Sequence, residues 1–169
     1  MIKVKVPSKL SPYTLEARHI KGYLFRRVNG IPVELMPQIR DLMAKFIQKA
    51  KEDVTIEFLI RKLDRLYFQK GEFVSIWTIE KNDKLVGYFY GEIARDSYEK
   101  VIVKIHNVYI SPKAMKDELL KEVESILASW GRKIGAVAME FDTERNPVAM
   151  AKRLSGGWDV ESWRMRRCV

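Results

Sequence analysis

The chain has 169 residues, 47% of them hydrophobic and 31% charged, with a formal charge of +9 from 31 Lys+Arg against 22 Asp+Glu. One ordinary domain is expected at that length, and nine glycines and six prolines exclude a fibrous or low-complexity chain. The single cysteine, Cys168, excludes an internal disulfide and CxxC metal sites, and no apolar run approaches the roughly 20 residues of a membrane span.

The start, "MIKVKVPSKL", alternates lysine with apolar residues and has no apolar stretch of the kind a secretory leader needs. A reducing cytoplasm is the expected setting. Residues 1–20 read as an N-terminal extension of the single domain; within residues 1–30, "KVKV" and "GYLFRRV" have strand character, before a turn at Asn29-Gly30. From Pro32, Leu35, Ile39, Leu42, Met43, Phe46 and Ile47 recur at three- and four-residue steps, the spacing of an amphipathic helix to about Lys51. Asp53 or Thr55 caps a second helix, whose inner face is expected to carry Phe58, Leu59, Leu63, Leu66 and Tyr67 and whose end falls before Gly71.

The texture then changes. "EFVSIWTIE" is a strand of β-branched and aromatic residues, "KNDK" a turn, "LVGYFYGEIA" a second strand and "VIVKIHNVYI" a third, so the middle of the chain is an antiparallel meander. Ser111-Pro112 follows at once, a preferred cap and a preferred first helical residue. Met115, Leu119, Val123, Ile126, Leu127 and Trp130 make the apolar stripe of a helix, with Gly131 placed to cap its end. "IGAVAMEFD" reads as a further strand, "NPVAMAKRL" as a helix from Asn146, and "DVESWRMRR" as a closing strand after "GGW".

That order, with its local motifs, resembles the GCN5-related N-acetyltransferase (GNAT) superfamily. "HNVYISP" is similar to the end of the family's fourth strand, "LLKEVESILASWGRKIGAVAMEFDTERN" to its central helix and fifth strand, and "NPVAMAKRLSGGW" to its "NxxAxxxYxxxGF" segment. The resemblance implies an α+β fold: a mostly antiparallel mixed sheet with helices on both faces. The fourth and fifth strands splay to admit acetyl-CoA between "VIVKIHNVYI" and "IGAVAMEFD". It implies an N-acetyltransferase or acyltransferase that moves an acyl group from CoA to an amine on a small molecule or protein, with no metal.

The match fails at one place. The family's pyrophosphate loop, R/Q-x-x-G-x-G/A, offers backbone N–H groups to the diphosphate at a helix start. Here "KAMKDE" joins Pro112 to Leu119 with no glycine. If Ser111 caps the helix, Lys113 and Lys116 fall in its first turn, where cations oppose the helix dipole unless an anion is bound. By the resemblance, the cofactor's arm pairs with the backbone of Val108 to Ile110, its phosphates lie near Lys113, Lys116 and Arg153, and Asn146 contacts it. Asn146 reads equally as a helix cap before Pro147.

Family members place a catalytic Glu or His two or four residues before the position of Val108, which here are His106 and Lys104. An imidazole titrates in the range a base needs, so His106 is the candidate base, with a hydrogen-bonded structural histidine as the alternative. The family's tyrosine proton donor is matched by Arg153, whose guanidinium does not give up a proton at neutral pH. Tyr109 is the substitute donor, with Glu92, Glu140 and Asp142 as other carboxylates near the splay, while Trp77 and "YFY" read as core or pocket wall.

Two further functions stay open. One is a catalytically inactive GNAT-like module that recognises an anionic partner, nucleic acid or an acidic protein, through the charge of +9. Arg164 and Arg166 on one face of the last strand, with Arg167, Lys152 and Arg153, would supply the surface. The basic residues are otherwise scattered and the aromatics fall on core-facing positions, which disfavours nucleic acid. The other is an unrelated basic α+β domain.

Overall fold

The computed structural model describes residues 13–30, 33–50, 53–114, 117–141, 148, 152–154 and 158. They fall into two compact units: the residues up to Glu92 together with Asn107–Ala114, and Ile93–His106 together with the residues from 117 onward.

The first unit opens with β1 (Thr14–Ile20) and β2 (Tyr23–Val28), continues through a short 3-10 turn into α1 (Met36–Ala50) and α2 (Ile56–Lys70), and then enters β3 (Val74–Lys81) and β4 (Lys84–Arg95). β1 to β4 pair antiparallel in sequence order. Both hairpins turn on two residues with positive φ, Lys21-Gly22 at 51° and 81° and Asn82-Asp83 at 50° and 59°. That left-handed pair matches the twist of the flanking strands, and Asn and Asp tolerate it better than other side chains do. Alternation along the strands sorts the core. Val28, Ile76, Tyr88 and Tyr90 share the face that packs with Ile39, Met43, Leu59 and Leu63 of the two helices. The other face carries Phe25, Trp77 and Phe89, with Trp77 stacked on Phe89 at 6.1 Å and Phe25 edge-on to it at 6.3 Å.

The second unit holds the end of β4, the start of β5 (Val101–Ile110), α3 (Asp117–Ile134) and β6 (Ala138–Phe141). β6 lies beside β5 and runs parallel to it, which makes the six-stranded sheet mixed. α3 buries Leu119, Leu120, Val123, Ile126, Leu127 and Trp130, the stripe expected from the sequence. Met115, the first member of that expectation, lies outside the described residues.

Four expectations change. Residues 14–20 form β1, a strand with only Ala17 buried, so "TLEARHI" carries no apolar alternation to betray it; "KVKV" lies outside the described residues. Phe58 is 53% exposed: the inner stripe of α2 is Leu59, Leu63 and Leu66, and one residue's 100° step takes Phe58 off it. Thr55 is the cap of α2, its hydroxyl accepting from the Phe58 N–H at 3.1 Å. Gly131 sits inside α3, not at its end. Gly135, with φ +91°, ends the helix: its N–H bonds to Arg132 O and that of Ala136 to Gly131 O, the paired bonds of a Schellman cap. Gly131 serves packing instead, since a Cβ there would lie 2.3 Å from Val103 Cγ2 on β5.

The fourth change concerns the joint after β5. Ser111 does not cap α3. Its N–H donates to Val86 O at 2.7 Å, extending the ladder to β4, and its carbonyl accepts from Ala114 N–H at 2.8 Å to close a turn over Pro112-Lys113. The first turn of α3 therefore holds Asp117 and Glu118, and Lys113 lies before the helix.

Candidate active site

In the first unit, the end of β5 is set by its neighbour. Gly87 of β4 lies under the bend: a Cβ there would stand 2.6 Å from the carbonyl oxygen of Tyr109 and 3.3 Å from the Cα of Ile110. A glycine inside a strand is a sequence signal of such close backbone approach, and Gly87 in "LVGYFY" was the residue to suspect. Val108 is half-buried, Ile110 buried, and Lys113 exposed on the turn.

Tyr109 is a core residue of this unit. Its ring meets Phe46 of α1 edge-on at 6.1 Å and stacks against Tyr88 at 6.3 Å. Burial pushes its phenol above the ordinary tyrosine range, partly offset by Lys45, with Asp41 adding to the rise. The hydroxyl stays protonated at neutral pH and is a weaker acid than an exposed tyrosine.

In the second unit, β5 and β6 pair from Ile102↔Ala138 through Val103↔Met139 and Lys104↔Glu140 to Ile105↔Phe141. His106 is the next residue of β5 after that register, half-buried and two residues from Lys104, so the two share a side of the strand. Glu140 is exposed on β6. Asp117 and Glu118 complement the positive end of the α3 dipole. Arg153 is engaged there, donating from Nε to Asp117 Oδ1 at 2.9 Å. Further along α3, Trp158 donates from its indole N–H to the buried Glu124 at 2.7 Å. Asp117 and Glu124 are two turns apart on one helix face, so Arg153 and Trp158 dock along that face. The sequence showed Trp158 only as part of "GGW"; Glu124, a carboxylate inside an apolar helix stripe, was the signal for its partner.

Lys116, Asn146, Asp142 and Arg164, Arg166 and Arg167 lie outside the described residues. Trp77, Tyr88, Phe89 and Tyr90 are all core. Glu92 is half-buried on β4. Among the described residues no three His, Cys, Asp or Glu side chains are grouped to hold a metal ion, and no helix is long and apolar enough to cross a membrane.

No protein-family model and no curated protein matches the sequence. Solved structures do match the fold. Glucosamine-6-phosphate N-acetyltransferase from Arabidopsis thaliana superposes with a TM-score of 0.64 at 17% identity, over 86% of this chain and 97% of that one. An aminoglycoside acetyltransferase from an uncultured soil metagenomic sample, in complex with sisomicin, gives 0.65 at 11% identity, over 88% and 97%. A predicted acetyltransferase with acetyl-CoA from Clostridium acetobutylicum gives 0.62 at 12% identity, over 86% and 96%. The fold is that of the GNAT acyltransferases.

Proposed function

We propose that the chain is a GNAT-type N-acyltransferase that takes an acetyl or acyl group from CoA and gives it to an amine, through a cofactor site built without the glycine-rich loop. The observation that carries this reading is the fold, shared with acetyltransferases that include one solved with acetyl-CoA, together with a β5 that runs to Ile110. Strand backbone pairs with an extended ligand through its N–H and C=O groups, and the amide arm of CoA is such a ligand. The backbone of Val108 and Ile110 would hold that arm, and Lys113 would meet phosphate as a point charge.

Acetyl-CoA supplies the activated acyl group as a thioester. The chain's own task is to bind and orient the amine and to move its proton. An ammonium is not a nucleophile, so it must first give up a proton, and His106 is the group assigned to take it at a ring nitrogen, directly or through water. Tyr109, placed against Phe46 and Tyr88, is assigned chiefly to holding β5 in place, with its phenol a lesser candidate to protonate the departing thiolate. Arg153 donates its Nε–H to Asp117 and would meet phosphate through its remaining guanidinium N–H groups. Lys116 and Asn146 stay in the proposal on the sequence resemblance alone.

One observation favours the second reading, a module that binds without catalysis. The first turn of α3 carries Asp117 and Glu118, so the helix end at which the family binds pyrophosphate already has its negative charge. A thermal-shift titration of the full chain with acetyl-CoA, CoA and heparin separates the two. A ligand at a hundredfold excess over its Kd stabilises the native state by about 2.7 kcal/mol. The acyltransferase reading expects that shift from acetyl-CoA and CoA, weakened by roughly 1–3 kcal/mol when Lys113 and Lys116 are both alanine. A shift from heparin alone supports the binding module.

A further inference from the structure

β1 is the outer strand of the sheet, paired with β2 on one side and, among the described residues, with no strand on the other. Its outward N–H and C=O groups are a template for a further strand. Many edges are guarded by lysine or proline, and Thr14–Ile20 contains neither. A bulge between Thr14 and Glu16 confines the regular edge to residues 16–20. That stretch carries two charges of opposite sign, Glu16 and Arg18, whose side chains are 38% and 33% exposed, and Leu15 beside them is 53% exposed.

We infer that this edge pairs with β1 of a second copy of the chain, antiparallel and about a two-fold axis at Ala17. Opposed residues of an antiparallel pair share a face, so a two-fold normal to the sheet passes where one residue faces its own copy. Centred on Ala17, the register sets Glu16 against Arg18 of the second copy, and Arg18 against its Glu16. Centred on Glu16 or on Arg18, it would oppose like charges. The charge pattern of β1 is therefore complementary to itself in one register. Within each chain the Arg18 Nε–H already donates to Glu16 Oε1 at 2.6 Å, and the guanidinium lies 5.4 Å from the centre of the Trp77 ring, so both charges are held on one face. Across the axis the four charges alternate in sign, and the remaining Arg18 N–H groups supply the bonds between copies. Ala17, small and buried, brings no bulk to the axis. The ladder is short, so association is expected at about 10–100 µM and not at nanomolar concentration. β1 supplies no residue to the acyltransferase site, so the inference stands apart from that reading.

The test is sedimentation velocity of the full chain from about 1 to 500 µM, with a reductant present so that Cys168 cannot link copies. A monomer–dimer equilibrium is expected. Glu16→Arg and Arg18→Glu each set like charges opposite one another, and each should weaken self-association about tenfold or more. Mixed in equal amounts, the two variants regain opposite charges at both positions, and a dimer with one copy of each should form about as readily as the wild-type dimer. A role for the two residues in folding alone would not produce that rescue. If a reversal does not fold, Glu16→Gln replaces it and should weaken the dimer about threefold. A monomer at every concentration, a dimer that these substitutions leave unchanged, or a mixture without rescue overturns the proposal.

Discussion

Replacing Gly87 with alanine places a methyl group 2.6 Å from the carbonyl oxygen of Tyr109 and 3.3 Å from the Cα of Ile110. Even a weak C–H···O contact keeps carbon and oxygen about 3.3–3.6 Å apart, so the methyl intrudes by more than half an ångström. Both obstructing atoms are backbone, and no change of rotamer relieves the contact. β4 and the end of β5 must move apart, a strain of about 1–3 kcal/mol. Against it stands the ordinary benefit of Gly→Ala at a permitted conformation, about 0.4–1 kcal/mol from a stiffer unfolded chain. The net expectation is a loss of about 1–2 kcal/mol, which at a urea slope of about 2 kcal/mol/M lowers the unfolding midpoint by about 0.5–1 M. Gly30→Ala is the control: nothing lies within 4 Å of a Cβ there and its φ is not left-handed, so it should be neutral or stabilising. Urea unfolding of wild type and both variants is the assay. A Gly87→Ala protein as stable as wild type refutes the close approach of β4 to the end of β5.

Gly131→Ala should destabilise by about 1–3 kcal/mol, outweighing the gain of about 1 kcal/mol in helix propensity, because Val103 Cγ2 is stiffly held 2.3 Å from the new Cβ. In a Val103→Ala background the same change should become neutral or favourable, and a double-mutant cycle without that reversal contradicts the contact. His106→Gln should lower acetyl transfer about 10²–10⁴-fold with acetyl-CoA affinity unchanged; turnover within a factor of two returns His106 to a structural role. Burial raises the Tyr109 phenol, so the fold favours its neutral form. That contribution is complete below the ordinary tyrosine value of about 10 and is lost as pH rises through the folded value. Tyr109→Phe should therefore reduce the alkaline loss of stability, measured by urea unfolding across pH, and an identical loss in the variant refutes the assignment.

The elements with strong periodicity were legible in the sequence. The α3 stripe from Leu119 to Trp130 and the aromatic β3 and β4 pattern are set by burial on one or both faces, which apolar spacing records directly. β1 was not legible, because six of its seven residues are at least partly exposed and leave no apolar alternation. The joint after β5 misled for a different reason. Ser-Pro is a good helix start by local preference, but the Ser111 N–H is already taken by Val86 O, a partner distant in sequence. The same limit applied to Gly131, whose role depends on Val103 of a neighbouring strand, and to Arg153, whose partner Asp117 precedes it by 36 residues. Of the candidate site, the strand end Val108 to Ile110 could be located from "HNVYISP"; Gly87 signalled a close backbone approach, but not that the end of β5 is what approaches it.

Hydrogen exchange of the full chain with and without acetyl-CoA reads the β5 backbone assigned to the cofactor. Slowed exchange of the amides from Val108 to Ile110 and of Lys113 is expected when acetyl-CoA is present, with the β1–β2 hairpin unchanged. Unaltered exchange along Val108 to Ile110 at a concentration of acetyl-CoA that shifts thermal stability would contradict that assignment, since the cofactor would then bind elsewhere.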